Sequence, residues 1–175
     1  MLINRSEQGT SEQGTTVMEM LIVLTIISIL LAQGAPLMKQ FYQQQRVYLQ
    51  TQQLVRFLHS ARSEAILHGA VEVCSPDNGC RAISSASSLI ARSLSGKTNS
   101  STQQLPTLRF QTPDDIHISW RGFRGKTVTF HNSGIARYQN GHFLVCSSYA
   151  ARKVILNWAG KTRTERVDHN ALCPR

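Results

Sequence analysis

The sequence predicts an α+β chain in which a long N-terminal helix, apolar first and amphipathic later, packs on a C-terminal antiparallel β-sheet. Three observations carry that expectation. Residues 15–37 hold a single full charge, Glu19. From Phe41 to Ala65 the apolar residues thin into helical spacing. After Pro106 come short β-branched and aromatic runs, parted by turn residues. The 175 residues suit one domain with a modest core once the apolar segment is set aside.

The segment "MLINRSEQGTSEQG" is mostly polar, and the apolar run that follows it is long enough to cross a bilayer as a helix. A secretory signal peptide is one reading, since "LLAQGA" offers small residues for a signal peptidase. Against it, Arg5 shares the leading segment with Glu7 and Glu12, a poor charge pattern for that role. A plain transmembrane anchor leaves Glu19 unexplained. A cut after Gly14 explains it: Thr15 then carries a free α-amine on the same helix face as the Glu19 carboxylate, four residues away. Pairing with that amine, or with a neighbouring subunit's, offsets part of a burial cost of several kcal/mol and fixes the register between helices. The duplicated "SEQGT" offers Gly9 as a second cut site, but a cut there puts Gly14 where the carboxylate belongs.

The stretch "G-TTVMEMLIVLTIISIL" resembles the class III leader of type IV pilins and type II secretion pseudopilins. The resemblance implies a leader at residues 1–14, removed by a prepilin peptidase, and a helix at 15–37 that spans the inner membrane and packs the core of a filament of other pilins. It implies amine methylation at Thr15, where the family usually has Phe. The exported part would be a periplasmic domain at 38–175, carried later on a pilus at the cell surface. N-terminal sequencing of the mature protein is expected to begin at Thr15; a start near Ala35 would instead mean signal-peptidase cleavage. Pro36 lacks an N–H, which leaves the carbonyl of Ala32 unpaired and predicts a kink or melted turn near Gly34.

The amphipathic helix is expected over residues 38–68. Its buried stripe is Phe41, Tyr48, Thr51, Leu54, Val55, Leu58, Ala61 and Ala65, and Gly69 is available for the C-cap. The β-rich part is expected over 71–175, starting with "VEVC". Residues 84–104 are serine-rich and read as a loop broken at most by "SLIARSL". "TLRF", "IHISW", "KTVTF", "HFLVC" and "KVILNW" then read as strands of one antiparallel meander, with "TPDD", "RGFRG", "NSG", "QNG" and "AGK" as turns. "ARSEAILHGAVEVC", "TFHNSGIARYQNGHFLVC" and "RKVILNWAGKTR" resemble the FimT/GspH branch of the pilin superfamily, which implies a pilin-like α+β fold.

Cys74, Cys80, Cys146 and Cys173 all follow the apolar run, and none stands at zinc-finger spacing. An even count behind a targeting segment points to disulfides. Of three possible pairings the favoured one is Cys74–Cys80, closing the turn-forming "SPDNG", with Cys146–Cys173 pinning the C-terminal tail. Loop entropy gives the second about 3 kcal/mol.

Nineteen Lys and Arg against ten Asp and Glu leave a formal charge of +9, which favours anionic partners. Asp114 and Asp115 follow Pro113 and read as a turn rather than a catalytic pair. The six histidines stand in no evident relation to a nucleophile, so no enzyme, metal or cofactor is expected. The segment "ARKVILNWAGKTRTER" supplies Arg152, Lys153, Lys161, Arg163 and Arg166 against Glu165 alone. Gly160 permits a tight turn, placing Lys161 and Arg163 at a loop tip beside exposed amides, able to grip DNA phosphates without reading bases. This part resembles the Gly-Arg-x-Arg motif of DNA-binding FimT-type minor pilins, here Gly160-Lys161-Thr162-Arg163. The resemblance implies a role in DNA uptake for natural transformation. Lysine keeps the charge of the first arginine and loses its fork. Arg121, Arg124 and Lys126 form a second basic patch, with Trp120 and Phe123 as candidates for stacking on bases. The alternatives are a structural minor pilin or a GspH-like pseudopilin of a type II secretion system without DNA binding, and a membrane-anchored binding domain that enters no filament.

Overall fold

A computed structural model describes residues 16–84, 86–94, 108–122, 125–136, 139–168 and 173. Gly14, Thr15, Phe123 and Arg124 lie outside the described residues. The chain divides into two compact units, Met1–Lys39 and Gln40–Arg175.

In the first unit, helix α1 (Val17–His68) begins at a polar cap. The Glu19 amide donates to Oγ1 of Thr16 at 3.3 Å, the contact an N-cap threonine makes with the third helical residue. Thr-x-x-Glu is also the sequence of a capping box, and a carboxylate suits the positive end of the helix dipole. Glu19 therefore has a local reason to stand at this helix start, besides any pairing with a terminal amine. Each described side chain from Thr16 to Lys39 is exposed, and this apolar stretch is long enough to cross a membrane. The helix continues through Gly34 and Pro36, so the expected melted turn is absent. Proline removes one hydrogen bond, and several intact turns on either side hold the rest of the ladder.

In the second unit α1 buries Val47, Thr51, Leu54, Phe57, Leu58, Ala61 and Ala65. From Thr51 onward this is the expected stripe widened by Phe57. Before it, Val47 takes the inward position; Phe41 and Tyr48 are exposed. The helix ends at His68 on Gly69, whose φ of 101° suits glycine and whose N–H reaches the Ala65 carbonyl.

Eight strands follow, in two sheets where one meander was expected. They are β1 (Val71–Cys74), β2 (Ser88–Ser93), β3 (Leu108–Gln111), β4 (His117–Gly122), β5 (Val128–Phe130), β6 (Gly141–Cys146), β7 (Ala151–Leu156) and β8 (Thr162–Val167). Sheet 1 has the order β3-β2-β1-β5 and sheet 2 the order β4-β6-β7-β8, with every pairing antiparallel. The meander fails at β5, which leaves its sequence neighbours to pair Val71–Val73 with Phe130–Val128. Strand β2 lies inside the serine-rich stretch, where Leu89 and Ala91 supply the buried alternation and Arg92 pairs across the sheet with Glu72 at 2.6 Å.

One core joins the helix to both sheets, with Leu54, Leu58, Leu89, Phe110, Phe130, Phe143, Val154 and Leu156 among its members. A smaller cluster, Leu144, Cys146 and Ala151 with Val167 and Cys173, lies on the opposite face of sheet 2. Disulfides join Cys74 to Cys80 and Cys146 to Cys173. Asp115 accepts from Arg46 at 2.9 Å, tying the turn before β4 to the helix.

Candidate functional site

The basic segment forms the β7–β8 hairpin, and the strand register sorts its cations. Successive side chains of a strand point to opposite faces. Val154 and Leu156 face the core, so Arg152 and its partner Arg166 project on the helix side. Arg166 donates to Oε1 of Gln44 at 3.1 Å, and the Arg152 guanidinium lies 4.7 Å from the Tyr48 ring centre. Both line a groove of about 1130 Å³ with Gln44, Tyr48, Ser147 and Tyr149. Lys153 and Arg163 project from the outer face, and Lys161 is exposed at the turn. The five cations expected to act together therefore divide between two faces.

The turn itself is tightly built. Asn157 takes the Gly160 N–H on its carbonyl at 2.9 Å and the Lys161 N–H on its side chain at 2.8 Å. The Asn157 N–H donates to the Lys161 carbonyl, and the Trp158 N–H to Oδ1 of Asn140 at 2.6 Å. The amides of Gly160 and Lys161, expected to grip phosphate, are thus already bonded within the protein. Charge on side chains is what this turn offers.

Gly160 is buried, has a φ of 73°, and a Cβ there would stand 2.5 Å from the carbonyl oxygen of Gly134. Arg62 of α1 donates its Nε–H to that same oxygen at 2.7 Å. Gly160 therefore serves the hairpin by close packing and by its backbone conformation, and its motif position contributes no surface.

The aromatic candidates also change. Trp120 is buried, its ring 4.7 Å from that of Phe143 and packed over the facing pair Gly122 and Gly141, so it reaches no base. Trp158 is the exposed one, at 60 %. It was hidden in the sequence because "KVILNW" reads as one strand; β7 stops at Leu156 and Trp158 falls in the turn beside Lys161.

On the outer face the register aligns Arg121 of β4, His142 of β6, Ile155 of β7 and Arg163 of β8 in one row across the sheet. Lys153 stands on the same face, one pleat along from Ile155 and opposite Glu165, with its ammonium 4.0 Å from that carboxylate. Burial pushes the His142 imidazole below the usual histidine range, and Lys153 and Arg121 push it the same way. Among the described residues, Arg121, Lys161 and Arg163 pair with no carboxylate, and no cluster of metal-binding side chains occurs.

No curated protein and no solved structure matches the chain. A family model, described as type II transport protein GspH, matches residues 50–160, well over half of the 175 residues. That match covers the second part of α1, both sheets up to the β7–β8 turn, and the Gly134–Gly160 packing beneath it. With its long N-terminal helix packed on antiparallel sheets, the chain belongs to the GspH family of pilin-like minor pilins and pseudopilins.

Proposed function

We propose that this protein is a minor pilin of a type IV pilus that binds DNA through the cations of the β7–β8 hairpin and so aids DNA uptake in natural transformation. The observation that carries the reading is the set of exposed, acid-free cations at Lys161 and Arg163, continued by Lys153 on the same side of the sheet. Phosphate contacts of this kind bind without base preference. The apolar start of α1 serves as inner-membrane anchor and filament core, and the second unit faces the periplasm. A prepilin peptidase cuts after Gly14, and Glu19 meets the Thr15 amine of its own or a neighbouring subunit. Other pilins are its partners in the filament.

The test is fluorescence anisotropy with a labelled random-sequence duplex and the full chain in a neutral detergent. About three phosphate contacts give a slope of log K against log salt near −2.7, from ~0.9 per contact. So few contacts imply weak binding per subunit, with several subunits on a filament raising avidity. Absence of salt-sensitive binding would leave the second reading, which the family description itself favours: a pseudopilin of a type II secretion system that builds the filament and binds no DNA.

Trp158 sharpens the substrate. A base stacked on it is worth about 1–3 kcal/mol. Trp158→Ala is therefore expected to weaken single-stranded DNA binding by about that amount, with a smaller effect on duplex. Single-stranded DNA is also expected to quench the emission of the exposed Trp158. An equal loss for both forms of DNA, or none, would remove Trp158 from the site.

A further inference from the structure

We propose that the DNA-binding surface extends from the hairpin across the outer face of sheet 2, along the row Arg121–His142–Arg163 with Lys153 beside it, and that a proton on His142 strengthens it. The proposal rests on the DNA-binding reading above and extends it to residues of β4 and β6 that lie far from the hairpin in sequence.

Its basis is geometric. Neighbouring strands lie about 4.8 Å apart, so the three spacings from Arg121 to Arg163 place positive groups along about 14 Å of surface. A phosphate backbone laid across the strands would meet each in turn. Arg121 and Arg163 are exposed, while His142 and Lys153 are half-buried, so the row is open at both ends and partly recessed in its middle. The core cluster on the far side of the sheet keeps the cations of this row from turning inward.

The charged groups that face His142 are Arg121 on β4 and Lys153 on β7, with Arg163 and Glu165 one strand further on β8. Cations are its immediate neighbours, and the one carboxylate, Glu165, lies opposite Lys153. Burial and those cations hold the imidazole neutral to lower pH than usual. A bound phosphate reverses that balance: it screens the cations and favours the imidazolium. Linkage is reciprocal, so DNA raises the affinity of His142 for its proton and the proton raises the affinity for DNA. The sign follows: binding tightens as pH falls through the histidine range, from about 8 to about 5.5.

The experiment measures anisotropy of a short random-sequence duplex with the full chain in neutral detergent, at constant ionic strength, at both ends of that pH range. Wild type is expected to bind about fivefold or more tightly at the acid end, the low end for a coupling between two ligands. The salt slope should steepen there by ~0.9 for the added contact. His142→Gln should abolish the pH dependence while keeping the binding seen at high pH. Arg121→Gln should weaken binding at both pH values, and Arg121→Lys should restore most of it. In wild type, the His142 ring protons followed by NMR should titrate at higher pH with DNA than without, a readout that needs no variant. Unchanged titration with DNA bound, or His142→Gln and Arg121→Gln binding as wild type at both pH values, would overturn the proposal while the hairpin reading stands. Absence of DNA binding by wild type at either pH would overturn both. Tighter binding of polyglutamate than of DNA would give this face to an acidic protein partner and overturn it as a nucleic-acid surface.

Discussion

Replacing Lys161 and Arg163 together by glutamine is expected to remove most DNA binding and flatten its salt dependence. With Lys153 left as the remaining hairpin cation on that face, the slope should fall from near −2.7 toward about −0.9. The fold should tolerate the change. Both side chains are exposed and neither joins an ion pair among the described residues, so the thermal melt should stay near that of wild type. Neutralising Arg152 and Arg166 instead should cost less binding, because these face Tyr48 and Gln44 on the helix side. A double mutant that binds as wild type does would move the site off the hairpin and put the purely structural pseudopilin reading first.

Gly160→Ala is expected to act in the opposite way, on folding more than on charge. A Cβ at a φ of 73° carries strain of order 1–3 kcal/mol, and displacing the Gly134 carbonyl from 2.5 Å adds an overpacking cost of similar size. A loss of about 2–5 kcal/mol in denaturant unfolding follows, large against a typical total of about 5–15. Loss of DNA binding in this variant would follow from a displaced hairpin. A stable Gly160→Ala protein that simply fails to bind DNA would mean that Gly160 contacts the ligand, contrary to its burial here.

Much of this architecture is legible in the residues because it rests on local signals. The helix end at His68 is marked by Gly69, and the Cys74–Cys80 pairing follows from a short turn between the two cysteines. The two-sheet arrangement is not legible, because nothing within "KTVTF" says that β5 pairs with β1 in place of its sequence neighbours. The stripe on α1 was read one position late at Tyr48 because a tyrosine looks more apolar than Val47 is bulky; tertiary packing decides which of two adjacent residues turns inward. For the candidate site, the charges of the hairpin are plain in the sequence, but their division between faces depends on the register with β6 and β7. Arg121 and His142 join Arg163 only through that register. Trp158 was misassigned because a turn of four residues and the end of a strand look alike when the run is apolar.

Strand β8 is also the outermost strand of its sheet. One side of such a strand has no neighbouring strand, and its backbone groups are a template on which a foreign strand can assemble. Here that rim is written Thr-Arg-Thr-Glu-Arg, with exposed charges on both faces in close succession. A flat incoming strand would have to bring those guanidinium groups and the carboxylate into close register with its own side chains, at a cost in desolvation. The charges proposed to hold DNA thus double as a guard against aggregation. Substitutions that exchange them for valine or isoleucine, even where they spare the core, would turn the rim into a self-association site in a protein held at high local concentration along a filament.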